Sequence, residues 1–554
     1  MQRLRLYLAP RWAAALPFAA VLATVAVACA PLFADGGFLL TRGAGDSANL
    51  LFRVHQLLTA YAGGAFPARW MPDGAYGYGL PYFTYYASFS THVAAWFKLV
   101  GFSYATAIKL AQALALVTGA WAVYGWVSTT RPRVGGGLAT GPFVAALAYT
   151  FAPFHLVNLY VRGDSLAELW AMAFTPLALW AIERLAICPS FGRVAALAAV
   201  VGAVLCAHNV SALMTLPVIG LYALARLGEV GAAPRRARLT AGALGLLWGL
   251  AGTAFFWLPA LGETGAVQLS ALTNGYFSYS GHFRDASNLL QSTWVFDYSR
   301  NPFAMGLIQT GLAVAGLVAR GLRRERLGAR DAFVLLGLVA STVLITPVAE
   351  PLYAQVPGLS YVQFPWRFLG VQALFTATLT GWLWPADALW AHPLKLRGWL
   401  SIGCTLVLAT ALAGSSLIGL RPEFVPLADE EVTAARLNLF EQATSMIGNT
   451  ANAEYLPATV DPRPWTSPAL LGHDPQPVAL AGRVTGARLA RSGLRETWQL
   501  TADGPATVAL PTYWWPGWSA TVDGDVTATR AAPGLGFITL DLPTGAHTVI
   551  LTLN

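Results

Sequence analysis

Apolar runs of about 20 residues, the length that crosses a bilayer core, recur along the first 420 residues. Candidate spans cover 13–34, 104–127, 139–160, 168–187, 194–208, 210–226, 239–260, 304–320, 331–348, 367–384 and 398–418, about eleven in all. An odd count puts the N-terminus and the C-terminal region on opposite sides of the membrane. One apolar stretch breaks the pattern. Tyr82 to Val100 is aromatic but carries Ser88, Ser90, Thr91, His92 and Lys98. It is expected as a helix lying at headgroup depth rather than a span, so the first outer loop runs over 35–103. The run Val194 to Arg226 is too long for one crossing and barely long enough for two. His208-Asn209 interrupts it and predicts a tight turn there.

After Arg421 the pattern changes. Leu427 to Ser445 has helical periodicity with Glu430, Glu431 and Arg436 on a polar face. From Ala479 onward short runs alternate apolar and polar positions between Gly, Pro and Asp, which predicts an antiparallel β-sandwich. Asp523-Gly524 fits a hairpin turn. The expected fold is a polytopic α-helical membrane protein with a C-terminal extracytoplasmic β-sandwich, divided as 1–420 and 421–554.

Composition agrees with lipid as the main solvent: 56% of residues are hydrophobic and 11% charged, against about 25% charged in soluble domains. The net charge of +8 could suggest nucleic acid. Its arginines instead sit in short loops between spans: Arg131 and Arg133, then Arg235, Arg236 and Arg238, then Arg320, Arg323, Arg324 and Arg326. That is the positive-inside pattern of cytoplasmic loops, and it argues against a nucleic-acid partner. The basic N-terminus then reads as cytoplasmic, leading into a retained first span. The four cysteines are scattered in or beside apolar spans with no CxxC spacing, which indicates neither a zinc site nor a disulfide framework. No P-loop, GxGxxG, GxSxG or HExxH motif is present.

The polar chemistry gathers in the other set of loops. Gly43 to Pro81 is a polar, aromatic, glycine-rich insert that opens with Asp46 and also holds His55. Asp46 precedes an amphipathic run and reads both as a helix cap and as a group at the mouth of a lipid-facing site. Arg162, Asp164 and Glu168 follow a span. Ser165-x-x-Glu168 fits a capping box, which leaves Asp164 beside Arg162 unexplained. Acids from two loops can hold a divalent cation (Mg or Mn) through oxygen ligands, or orient a sugar acceptor. His155 and His208 fall at the same ends of spans, where ionisable groups are costly. His282, Arg284, Gln291, Gln363 and Arg367 form a candidate phosphate-binding set, because the planar guanidinium fork matches phosphate oxygens. For Arg367, snorkelling to headgroups is the structural alternative.

The segments PARWMPDGAYGYGLPYFTYY, YVRGDSLAE, AHNVSAL, HFRDASNLLQSTW and VQFPWRF, with Glu454-Tyr455-Leu456-Pro457, resemble the bacterial membrane family labelled "6-pyruvoyl-tetrahydropterin synthase-related". TYWWPGWSATVDG is similar to the outer domain of a family that glycosylates cell-wall polymers. Both families look like the GT-C superfamily of polytopic glycosyltransferases. The resemblance implies transfer of a sugar from a polyprenyl-phosphate donor to an envelope glycan, lipid or protein acceptor, at the outer face of the bacterial plasma membrane. It implies a catalytic role for Asp46 and a second acidic site at Asp164, with Glu168. The substrate-binding groups would be His55, Arg162, His208, His282, Arg284, Gln363 and Arg367. A flippase for a lipid-linked saccharide, or a non-catalytic scaffold, are the other classes that the same loops could serve. A transporter would favour internal repeats, and the sequence has no strong one.

Overall fold

The computed structural model describes residues 11–41, 46–129, 138–163, 165–229, 233–385 and 396–553. The chain divides into two compact units. The first holds Met1–Gly43, Ile108–Thr253 and Ser278–Val425, and the second holds Ala44–Ala107, Ala254–Phe277 and Pro426–Asn554. The insert after the first apolar helix therefore groups with the C-terminal residues.

The first unit is helical. Among the described residues five helices are long and apolar enough to cross a membrane, or up to seven if each of two bent pairs counts as one span. The helix Leu166–Ile187 carries this unit's organisation. Its apolar sequence is interrupted only near its two ends, by Glu168 at the start and by Glu183 and Arg184 at the finish. The run broken at His208 forms two helices, Phe191–Ala207 and Asn209–Gly228. His208 itself is extended, and its Nδ1 accepts the Ser211 backbone N–H at 3.3 Å, which caps the second helix.

Two expected spans are shorter than the sequence pattern suggests. Residues 367–384 yield the helix Leu369–Gly381, thirteen residues and every one of them buried. At 1.5 Å per residue it extends about 20 Å, short of a bilayer core. It is a central post, packed by Thr140–Thr150, Leu307–Leu322 and Ala329–Val343. Small residues permit the approach: a Cβ on Gly381 would lie 2.7 Å from the Gly141 carbonyl oxygen. Residues 331–348 give Ala329–Val343, followed after a 92° bend by Pro347–Gln355. A two-stranded antiparallel ribbon, β1 (Phe38–Leu40) with β2 (Glu423–Val425), completes the unit.

The second unit contains the β-structure. Strands β3 (Val478–Ala481), β4 (Val484–Ser492), β5 (Arg495–Ala502), β6 (Ala506–Tyr513), β7 (Trp518–Val522), β8 (Asp525–Thr527), β9 (Arg530–Ala531), β10 (Phe537–Leu542) and β11 (Gly545–Leu553) form two antiparallel sheets. Their orders are β3-β6-β10-β9 and β4-β5-β11-β7-β8. Alternation is visible along β11, where His547, Val549, Leu551 and Leu553 are buried and their neighbours are not. Asp523 and Gly524 join β7 to β8 with positive φ at both, as the primed hairpin turn requires.

Helices pack against this β-structure within the unit. The predicted helix over 427–445 is shorter, Ala434–Thr444. Its Glu441 is fully buried and accepts the backbone N–H of Ala75, Tyr76 and Gly448 at 3.0, 2.7 and 2.6 Å. The turn so held, GAYGYG, has Ala75 and Tyr76 at positive φ. Of the expected interfacial stretch, Phe89–Leu99 is a helix that buries Ser90, Thr91 and Val93. It leaves Trp96, Leu99 and Val100 exposed.

Candidate functional site: the Glu168 ion-pair cluster

Three segments of the first unit meet around Glu168. The helix Pro153–Tyr160 ends and the chain turns through Arg162 into Leu166–Ile187, so Arg162 and Glu168 come from the two sides of one turn. The third segment is Leu359–Phe368, which enters the central helix from its N-terminal end. Glu168 is 3% exposed. Its Oε2 accepts Arg162 Nη1 at 2.5 Å and lies 3.8 Å from Arg367 Nε. Arg162 also donates to Asn158 Oδ1 at 2.5 Å, and Arg367 donates to the Val362 carbonyl and to Gln363 Oε1 at 2.9 and 3.1 Å. A buried carboxylate without such partners would cost several kcal/mol.

Aromatic rings fix the two guanidiniums from the other side. Arg162 lies 4.9 Å from the Trp366 ring centre and Arg367 lies 4.8 Å from that of Phe364. Trp366 is itself stacked on Phe303 at 3.8 Å and on Phe364 at 5.0 Å. Gln363 has φ +63° and ψ −50°, and the Phe364 N–H reaches back to the Val362 carbonyl at 2.6 Å. That is a γ-turn of the strained, positive-φ kind. It sets the Gln363 side chain where Arg367 needs an acceptor.

The capping box expected from Ser165 and Glu168 does not form. Ser165 makes no side-chain cap and gives its hydroxyl to the Asn158 carbonyl at 3.0 Å, because Glu168 is drawn to the arginines. Of the other candidates, His282 joins the cluster through Phe364, with ring centres 4.5 Å apart. His208 caps the N-terminus of a helix that packs on Leu359–Val362, just before Gln363. Arg284 bonds to Asn301 and, through its backbone N–H, to the Ile345 carbonyl. His155 is buried, with Nδ1 against the Tyr149 carbonyl at 2.5 Å. Asn158 and Phe303 were not singled out by the sequence reading. Asn158 stands four residues before Arg162, and that spacing would have flagged it.

Two candidates belong to the second unit. His55 contacts Gln56 at 3.2 Å and the Tyr104 ring at 6.4 Å. Burial pulls its imidazole below the ordinary histidine range, against the opposing pull of the Asp73 carboxylate. Asp46 begins the helix Asp46–Ala62, and its side chain lies outside the described residues, as does Asp164. Among the described residues no group of three or more His, Cys, Asp or Glu is arranged to hold a metal.

The molecule thus pairs an apolar helical region with a C-terminal β-sheet region, with a buried charged cluster where three segments of the helical region meet. No known protein family and no curated protein matches the chain. Among solved structures it is similar to the arabinofuranosyltransferase AftD from Mycobacteria, with a TM-score of 0.45 and 16% identity over 74% of this chain and 27% of that one. A variant of AftD gives 0.46 and 16% over 72% and 28%. The archaeal oligosaccharyltransferase AglB from Archaeoglobus fulgidus, in complex with an inhibitory peptide and a dolichol-phosphate, gives 0.39 and 11% over 75% and 56%. The chain spans about a quarter of AftD and about half of AglB.

Proposed function

We propose that the protein is a GT-C-type membrane glycosyltransferase that moves a sugar from a polyprenyl-phosphate donor to an acceptor on the extracytoplasmic face. The observation that carries the reading is the Glu168 cluster. Two arginines from separate segments, Arg162 and Arg367, are held rigid at the end of the helix Leu166–Ile187 remote from Glu183. Guanidiniums so restrained suit the phosphate of a lipid whose tail lies along the spans.

The acceptor hydroxyl oxygen attacks the anomeric carbon of the sugar, and the bond from that carbon to the phosphate oxygen breaks. The hydroxyl proton passes to the Asp46 carboxylate acting as general base, the role that the sequence resemblance gives it. The electron pair leaves on the polyprenyl phosphate, and Arg162 and Arg367 stabilise the developing charge. His282, packed on Phe364 with ring centres 4.5 Å apart, is assigned as a further donor to the same phosphate. Glu168 acts as a positioning residue, since its Oε2 is engaged by both arginines. The sugar is already activated, so the reaction calls for no nucleotide.

The test uses the full chain in membranes, a set of polyprenyl-phosphate sugars and release of polyprenyl phosphate as readout. Asp46→Asn is expected to slow transfer by about a hundredfold or more while the protein remains folded. Wild-type turnover in that variant would remove Asp46 from the mechanism.

A further inference from the structure

The first unit has a second charged region. Glu183, at the finish of Leu166–Ile187, is 0% exposed and ion-paired to Arg226 and Arg330 at 2.9 and 3.2 Å. Beside it opens a cavity of about 390 Å³, many times the roughly 30 Å³ share of one water. Three arginines, Arg320, Arg326 and Arg330, and three acids, Glu229, Glu325 and Asp331, line it. It lies where the chain leaves Tyr104–Thr129, Asn209–Gly228, Leu307–Leu322 and Leu369–Gly381, so four helix C-termini converge there. Trp126, Val334 and Trp382 supply an apolar wall.

Most of the lining charge is consumed internally. Arg320 is bidentate to Asp331 at 2.7 Å on both arms and stacks on Trp382 at 4.2 Å. Glu325 takes Arg323 at 2.6 Å. Two groups of opposite sign remain. Among the described residues the exposed Arg326 guanidinium makes no ion pair, and Glu229 meets Arg226 and Arg330 through Oε2 alone, leaving Oε1. A bare anion entering the cavity would meet the carboxylates, and a bare cation would meet the guanidiniums. A ligand bearing both charges satisfies both sets.

We infer that this cavity binds a phosphate ester carrying a primary ammonium group, with the phosphate on Arg326, the ammonium on Glu229 and any acyl-glycerol portion along Trp382 and Val334. Phosphatidylethanolamine and free phosphoethanolamine share that chemistry.

The experiment exposes the purified full-length protein to mixed vesicles of equal phosphatidylethanolamine, phosphatidylcholine and phosphatidylglycerol, and reads the retained lipid by native mass spectrometry. The expected result is at least about tenfold retention of phosphatidylethanolamine over the other two, as charge-assisted hydrogen bonds imply. Arg326→Ala, at an exposed position, and Glu229→Gln should each abolish the preference, with the Arg326 variant melting at the wild-type temperature. A parallel arm adds phosphoethanolamine alone in lipid-free detergent. If it raises the melting temperature and competes with the lipid, the natural ligand is the soluble ester; if it does neither while the lipid is retained, the ligand is the lipid. Equal retention of all three lipids with no response to phosphoethanolamine overturns the inference. So does preference for phosphatidylglycerol, or an undiminished preference in Arg326→Ala. None of these readouts depends on sugar transfer.

Discussion

Glu168 and Glu441 are both buried carboxylates, and their partners give them different chemistry. Glu168 is neutralised by guanidiniums, so removing its charge strands them. Glu168→Gln is expected to destabilise the helical unit by about 3 kcal/mol, read as a lower melting temperature, and to weaken donor binding more than Arg367→Lys, which keeps a charge but loses the fork. Among the described residues the hydrogen-bond donors to Glu441 are all backbone N–H groups. Burial pushes its carboxyl up to about 8, more than the three donors hold it down. The folded state then keeps a proton that the unfolded state has lost above about 4.5. Stability is fullest below that value and declines as pH rises to about 8. Melting followed by tryptophan fluorescence should show this decline, and Glu441→Gln should flatten it at the cost of a lower starting temperature.

The turn Leu359–Phe368 and the central helix behind it work as one device. The turn stores strain at Gln363, whose φ of +63° is unusual for a residue with a Cβ, and the Phe364 and Trp366 rings keep the turn from relaxing. Gln363→Gly relieves the backbone but takes away the acceptor for Arg367. The expected outcome is a melting temperature at or above wild type together with slower transfer, a split that a purely structural residue would not produce. Behind the turn, Gly381→Leu would drive a side chain into the Gly141 carbonyl and lower stability by about 1–3 kcal/mol. Much of this was legible from sequence: the broken run at His208, the hairpin at Asp523-Gly524, the strands after Ala479. The shortness of Leu369–Gly381 was not, because an apolar run wholly inside protein reads like one facing lipid. Nor was the convergence of Arg367 on the Arg162–Glu168 pair, since local spacing offered Glu168 a cap and Arg367 lies far along the chain. The ionic cluster at Glu183 escaped for the same reason: its partners Arg226 and Arg330 lie far along the chain.

An expected orientation in the membrane follows from where charge collects. The ends of Tyr104–Thr129, Asn209–Gly228 and Leu307–Leu322 lead into the arginine-bearing loops, and residues at all three ends line one cavity. The described ends of these three helices therefore share one end of the helical unit, independent of any count of spans. Short loops rich in arginine stay in the cytoplasm. That rule predicts an outward-facing Glu168 cluster, since it sits at the other end of Leu166–Ile187, about 22 Å away along the fifteen residues to Glu183. The prediction uses a chain whose native cysteines are replaced. A cysteine at Arg326 should react with a membrane-impermeant maleimide only after the cells are opened. A cysteine at His473, exposed in the second unit, should react in intact cells. Labelling of the Arg326→Cys chain from outside would invert the helical unit and move the Glu168 cluster to the cytoplasm. An outward-facing donor could then not be its substrate, and the proposed transfer would lose the side of the membrane on which it must occur.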